Sequence, residues 1–200
     1  MIILASRSPQ RRALLDLLGL PFRVVASDFE ERGPGHGAHD RVAHNALGKA
    51  RDVAGRPGID GVVVGADTEV SLDDHTFGKP ADAAAALAML DALQGRTHQV
   101  HTGLALVAPD GRIHHEVVRS DVTMRSLTKA EQARYVATGE WRDRAGGYAI
   151  QGAGAALITR IEGDYSAVVG LPVARLAELI EGPFAYEARA SQPRRDSGVV

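Results

Sequence analysis

The run Gly61-Val62-Val63-Val64, followed at once by Gly65-Ala66-Asp67-Thr68, limits most sharply what this chain can fold into. A short β-branched run with no polar position in its alternation reads as an interior strand, and such a strand needs cover on both faces. The covering pieces are present. Val42, Ala43, Ala46, Leu47, Ala50 and Val53 recur at helical spacing over roughly residues 39 to 54. An alanine-rich helix is predicted from Asp82 to Leu93, closed by Gly95. Thr128 and Glu131 have the spacing of a capping box for a helix to about Thr138, and a last helix is predicted from near Pro172 to about Glu181. Further strands are predicted at Met1 to Ala5, Phe22 to Ala26, Thr97 to Val107, Arg112 to Met124 and Ala155 to Ile161, with a hairpin or short connection over Val70 to Phe77. Alternation of this kind predicts an α/β fold, a mixed twisted sheet flanked by helices.

The start of the chain, LASRSPQRRAL, is a strand-to-helix corner. Ser8 is suited to cap the helix and Pro9 to occupy its first position, while Leu14, Leu15, Leu17 and Leu18 form its apolar stripe. Arg11 and Arg12 then fall in the first turn, where the helix dipole disfavours cations. An anion docked at that end would reverse the effect, since free N–H groups and arginine would meet it together.

Three more polar clusters sit at expected element ends, where open α/β sheets present ligand crevices. Asp67-Thr68 follows the apolar strand; Lys79 stands before Pro80; and Glu140 to Gly152 places Gln151 among glycines. Each has a plain structural alternative: a helix cap, a turn carboxylate, a surface lysine, an exposed crossover. Together they describe a polyphosphate site. Arg11, Lys49 and Lys79, with Arg12 or Arg144 in reserve, can neutralise a phosphate chain, and Glu31 and Asp67 can hold a divalent cation or orient water. No Gly-x-x-x-x-Gly-Lys-Ser/Thr loop occurs, which excludes a P-loop enzyme. His36, His39 and His44 lack metal-ligand spacing and are expected to be solvated.

Composition narrows the setting. A chain of 200 residues that is 44% hydrophobic suits one domain over residues 1 to 182, with the aperiodic stretch 183 to 200 expected as a flexible tail. A net charge of -2 argues against a nucleic-acid polymer as partner, no apolar run is long enough for a membrane, and the absence of cysteine fits a cytoplasmic location.

The ordered segments LASRSPQRRALLDLLGL, Glu30-Glu31, NALGKA, VVVGADTEV, GKP, LQGRTHQVHTGLAL, GEWRDRAGGYAIQGAGA and GDYSAVVGLP resemble the Maf family of nucleoside triphosphate pyrophosphatases. That resemblance implies a two-lobed α/β fold around a deep cleft, related to the inosine-triphosphate pyrophosphatases, frequently homodimeric and active with Mg2+ or Mn2+. It puts Asp67 at the catalytic acid's position and Ser8, Arg11, Glu31, Lys49 and Lys79 on the phosphate and metal end. Thr68 and Gln151 match positions of substrate selection, and Ile150-Gln151-Gly152 is similar to the subgroup acting on dTTP and UTP. Gln10 departs from that subgroup, which usually has arginine there, so Gln10 joins the specificity positions; Arg144 stands where the subgroup commonly has lysine. The implied reaction is cleavage between the α and β phosphates. The alternatives are a pyrophosphatase of broad or modified-nucleotide specificity, or a nucleotide-binding regulator of cell division without turnover.

Overall fold

The computed structural model describes residues 1 to 33 and 36 to 185. Seven strands form one mixed sheet: β1 (Ile2–Leu4), β2 (Phe22–Val24), β3 (Val62–Leu72), β4 (His75–Phe77), β5 (Thr97–Val107), β6 (Ile113–Met124) and β7 (Ile158–Glu162). Their order is β2-β1-β3-β5-β6-β7, with β4 folded back on the end of β3. β1 runs parallel to β2 and β3; β5, β6 and β7 add antiparallel. Among the described residues six α-helices cover it: α1 (Pro9–Asp16), α2 (Ala38–Ala54), α3 (Ala83–Leu93), α4 (Lys129–Ala137), α5 (Tyr165–Val169) and α6 (Val173–Glu181). The expected α/β architecture is therefore present.

The long strand β3 organises the interior. Side chains alternate across a strand, so its even-numbered residues share one face. Val62, Val64 and Ala66 join Ile2, Leu4, Leu104 and Leu106 in a core closed by Leu14 and Leu15 of α1 and Leu176, Leu179 and Ile180 of α6. Farther along the same face, Val70 and Leu72 join Val100, Val122 and Met124 in a second core under Leu90 and Leu93 of α3 and Tyr135 and Val136 of α4. Thr68 lies between the two. Each buried Leu or Ile contributes roughly 1.5–3 kcal/mol, so two separate apolar clusters of this size hold the sheet from both ends. On the opposite face, Val63, Ala105 and Val107 pack against Ala46, Ala50 and Val53 of α2.

That third layer is unusually close. A Cβ at Gly65 would stand 2.2 Å from the Ala46 carbonyl oxygen, and one at Gly103 2.2 Å from that of Val42. Only glycine lets the α2 backbone approach this near. Gly103 pairs directly with Asp67 across the ladder, so α2 lies directly over the Asp67 face of the sheet.

Several expected boundaries shift. The interior strand does not end before Asp67 but continues to Leu72, paired with β5 through Ser71. Its acidic positions, Asp67 and Glu69, are met by α2, and Thr68 and Ser71 by Arg11, Thr102 and His101, so polarity does not terminate it. The strand expected from Ala155 begins at Ile158, after a 3-10 turn over Gly152–Leu157, and α5, capped by Asp164, was not foreseen. Phe184 is buried in the first core, so the chain stays packed past Pro183; the remainder of the expected tail lies outside the described residues. No helix among the described residues is long and apolar enough to cross a membrane.

Candidate active site

A cavity of about 740 Å³ opens where the face of β3 passes between the two cores. Its wall includes Ser8, Gln10, Arg11, Glu31, Lys49, Thr68, Lys79, Arg144 and Gln151, so side chains spread from residue 8 to residue 151 meet in one cleft. Asp67 is not among the lining residues and meets the cleft through Lys49, 2.8 Å away; Arg12 is exposed and does not line it, and His36, His39 and His44 are exposed as expected.

The α1 corner is built as the sequence suggests. Ser8 Oγ accepts from Arg11 N at 3.4 Å and donates to Gln10 Oε1 at 3.1 Å, so Gln10 turns back onto its own helix cap. Arg11, in contrast, is drawn into the protein. Its Nε donates to Gly170 O at 2.9 Å, Nη1 to Ser6 Oγ at 3.4 Å and Nη2 to Thr68 Oγ1 at 3.2 Å. Burial pulls this guanidinium below its ordinary range, while Asp67 and then Glu31 act the other way. The Thr68 hydroxyl lies 3.0 Å from that of Thr102, which donates to Ala167 O at 2.7 Å; Thr68 thus donates to Thr102 and accepts from Arg11. Its hydroxyl serves the arginine's orientation, an employment its sequence position alone did not suggest.

On the other face, Arg41, Asn45 and Lys49 recur every fourth residue along α2 and oppose Glu69 and Asp67 of β3. Lys49 Nζ lies 2.8 Å from Asp67 Oδ1 and 2.6 Å from Glu31 Oε1. Asn45 Nδ2 donates to Asp67 Oδ2 at 2.9 Å, and its Oδ1 accepts from Arg32 N at 2.8 Å. Asp67 is therefore clamped through both oxygens. Arg41 holds Glu69 through Nε at 2.9 Å and through Nη2; burial pushes the Glu69 carboxyl up against the pull of those hydrogen bonds. Lys49, expected to meet the phosphate chain, is shared by two carboxylates. Asn45 and Arg41 were not singled out from the sequence, although the four-residue spacing to Lys49 places all three on one helix face.

The loop carrying Glu31 is fastened to the same helix. Asp52 Oδ2 accepts from Ser27 Oγ at 2.8 Å and Asp28 N at 2.9 Å, and the Phe29 ring lies where a side chain at position 48 would be, which only Gly48 permits. Glu31 itself remains open, its side chain 57% exposed against 15% for Asp67. The two carboxylates converge on one ammonium, so their geometry suits a cation. No group of three or more metal-ligating side chains occurs among the described residues.

Lys79 and Arg144 complete the positive wall. Neither makes an ion pair among the described residues, and Arg144 Nε is buried without a hydrogen-bond partner. Beyond them the wall turns apolar and glycine-rich. Tyr148 and Ile150 are buried, Ala149 N donates to Tyr135 Oη at 2.8 Å, and Tyr148 Oη meets His98 Nε2 at 2.7 Å. Gln151 stands exposed at the cleft mouth, its amide making no hydrogen bond to any described residue.

A dTTP/UTP pyrophosphatase of Deinococcus radiodurans is 47% identical over 187 residues, covering 90% of this chain and 92% of its own. Proteins of the same description from Thermoanaerobacter sp. and Bacillus cereus are 41% and 45% identical, covering 92% and 88% of this chain and 96% and 91% of theirs. Among solved structures, a HAM1 protein from Coxiella burnetii aligns over 90% of this chain and 98% of its own at 19% identity, with a TM-score of 0.49. The family model described as Maf-like protein matches residues 1 to 182, and the chain belongs to that family.

Proposed function

We propose that this protein hydrolyses nucleoside triphosphates between the α and β phosphates, releasing the monophosphate and pyrophosphate, with dTTP and UTP as its substrates. The observation that carries this reading is the Asp67 carboxylate, clamped by Lys49 and Asn45 beside a cleft lined with cations. Similarity to proteins described as dTTP/UTP pyrophosphatases supports the choice of substrate.

A triphosphate brings several negative charges, which repel an attacking water and hold back the diphosphate leaving group. Lys79 and Arg144, without partners among the described residues, meet that charge first. Arg11 and the Ser8 end of α1 present further donors from the opposite wall. Asp67 orients the water and takes its proton; the Asn45 and Lys49 bonds keep the carboxylate in one rotamer while it does so. Glu31 and Asp67 would hold a divalent cation, Mg2+ or Mn2+, which when bound neutralises phosphate charge. At the far end, the Gln151 amide offers a donor beside an acceptor, the pattern that matches the O4 and N3–H edge of uracil or thymine.

Incubation of a triphosphate panel with Mg2+ or Mn2+, assayed separately for pyrophosphate and orthophosphate, tests this. Pyrophosphate with monophosphate is expected, fastest for dTTP and UTP; orthophosphate as the sole primary product overturns it. Asp67→Asn is expected to lower kcat by about 10²–10⁴-fold, the range for a lost general base, with folding preserved.

A further inference from the structure

We propose that Glu140 is a positioning residue for base selection: its carboxylate fixes the backbone from which Gln151 reads the base. The inference rests on the role given to Gln151 above. Glu140 belongs to neither the phosphate nor the carboxylate cluster, and it does not line the cleft. Its Oε1 accepts from Ala153 N at 3.1 Å and its Oε2 from Gly154 N at 3.3 Å. Both donors lie within three residues of Gln151.

The segment leaves little other room. Gly152 has φ +68, a left-handed conformation, and a Cβ there would lie 2.7 Å from Glu140 Oε1. Gly154 is packed on the Ala149 carbonyl so tightly that a Cβ would stand 1.6 Å from its oxygen. Gln151 thus occupies the apex of a turn whose incoming limb is tied to Tyr135 through Ala149 N and whose outgoing limb is tied to Glu140.

Glu140 is itself held still. It follows α4 directly; its N–H donates to Thr138 Oγ1 at 3.2 Å, and the next residue, Trp141, is buried with Nε1 donating to Val136 O at 2.9 Å. A carboxylate is the suitable group because both its oxygens accept and it has no donor to repel either N–H. Since the Gln151 amide makes no hydrogen bond to any described residue, the backbone is what fixes the point from which it reaches the cleft. Base preference therefore depends on a residue that touches no part of the nucleotide.

The test compares wild type with Glu140→Ala, Glu140→Gln and Gln151→Ala for kcat/KM on UTP, dTTP, CTP and GTP, with inorganic tripolyphosphate as a competitor that has no base. Glu140→Ala is expected to reduce the UTP-to-CTP ratio at least about fivefold, within the span of single-contact discrimination, while leaving the tripolyphosphate inhibition constant unchanged. Glu140→Gln keeps one acceptor but turns an NH2 toward the second N–H, so an intermediate ratio is expected. If Glu140→Ala does not fold, the Gln variant decides alone. An unchanged ratio in folded Glu140 variants, or an equal loss for every nucleotide accompanied by weaker tripolyphosphate inhibition, overturns the inference. Gln151→Ala separates the two ideas: an unchanged ranking there removes Gln151 as base reader, whereas a changed ranking there with none in the Glu140 variants removes Glu140 alone.

Discussion

At one end of the cleft Lys49 and Glu31 line the wall, with Asp67 next to Lys49 just outside the lining, carried largely by the regular elements β3 and α2; at the other, Gln151 stands on a glycine-rich turn whose N–H groups are held by side chains from elsewhere. The first end is a network of charges on a stiff frame. The second is a backbone shape with almost no charge of its own. Chemistry common to all triphosphates belongs on the former, where a displaced carboxylate is costly to every substrate. In the proposed function discrimination falls to the latter, where a small change in backbone geometry would move one amide relative to a base edge without disturbing the phosphates.

Breaking the charge network should have the largest effect. Lys49→Met leaves Asp67 and Glu31 facing each other without their shared cation, and kcat/KM is expected to fall about 10²–10³-fold for every nucleotide alike. Steady-state kinetics across the panel would show it; a change in base ranking instead would erase the division between the ends. The glycine turn should answer differently. Gly154→Ala forces a Cβ against the Ala149 carbonyl, and an overpacking cost of about 3 kcal/mol is expected, with a flattened ranking and a Tm lower by roughly 6–12 °C. Calorimetry with the same panel measures both, and normal stability with an intact ranking would mean the turn is looser than its geometry states.

The smallest effect concerns the support beneath that turn. His98 is fully buried against Tyr148, and burial lowers its pKa from 6.5 to about 4. Above the ordinary value both folded and unfolded chains carry a neutral ring. As pH falls below it only the unfolded chain gains the proton, so stability is lost progressively until the folded value is reached. At about pH 5 the loss from this one group is about 2 kcal/mol. Urea melts of wild type and His98→Phe near pH 7 and near pH 5 should show a shallower decline in the variant; parallel declines would mean His98 does not carry the slope.

The same division decides what could be read from the sequence. Asp67, Lys49, Glu31, Lys79 and Arg11 announce themselves by residue type, and the alternation of apolar periods was enough for a mixed sheet under helices. What stayed hidden is pairing over distance. That Lys49 would be shared by two carboxylates depends on α2 lying against Gly65 and Gly103, and that Thr68 would give its hydroxyl to orienting Arg11 depends on α1 meeting β3 from the other face; no local pattern states either. The continuation of β3 through Asp67 was missed for the same reason, since a polar alternation ends a strand only when nothing across the interface answers it. The glycines between 146 and 154 mark a special backbone, but not the identity of Glu140, Tyr135 and His98 as the groups that hold it.

Arg11 bonds the carbonyl of Gly170, 159 residues away in sequence. The corner is therefore finished by a segment that is synthesised 159 residues later. During synthesis, at about 5–20 residues per second, the nascent N-terminal half exposes an anion-attracting helix end whose arginine has no carbonyl to orient it. Gly170 follows α5 directly, so a chain that ends before it has Ser6 and Thr68 to hold the Arg11 guanidinium but not the carbonyl that takes its Nε.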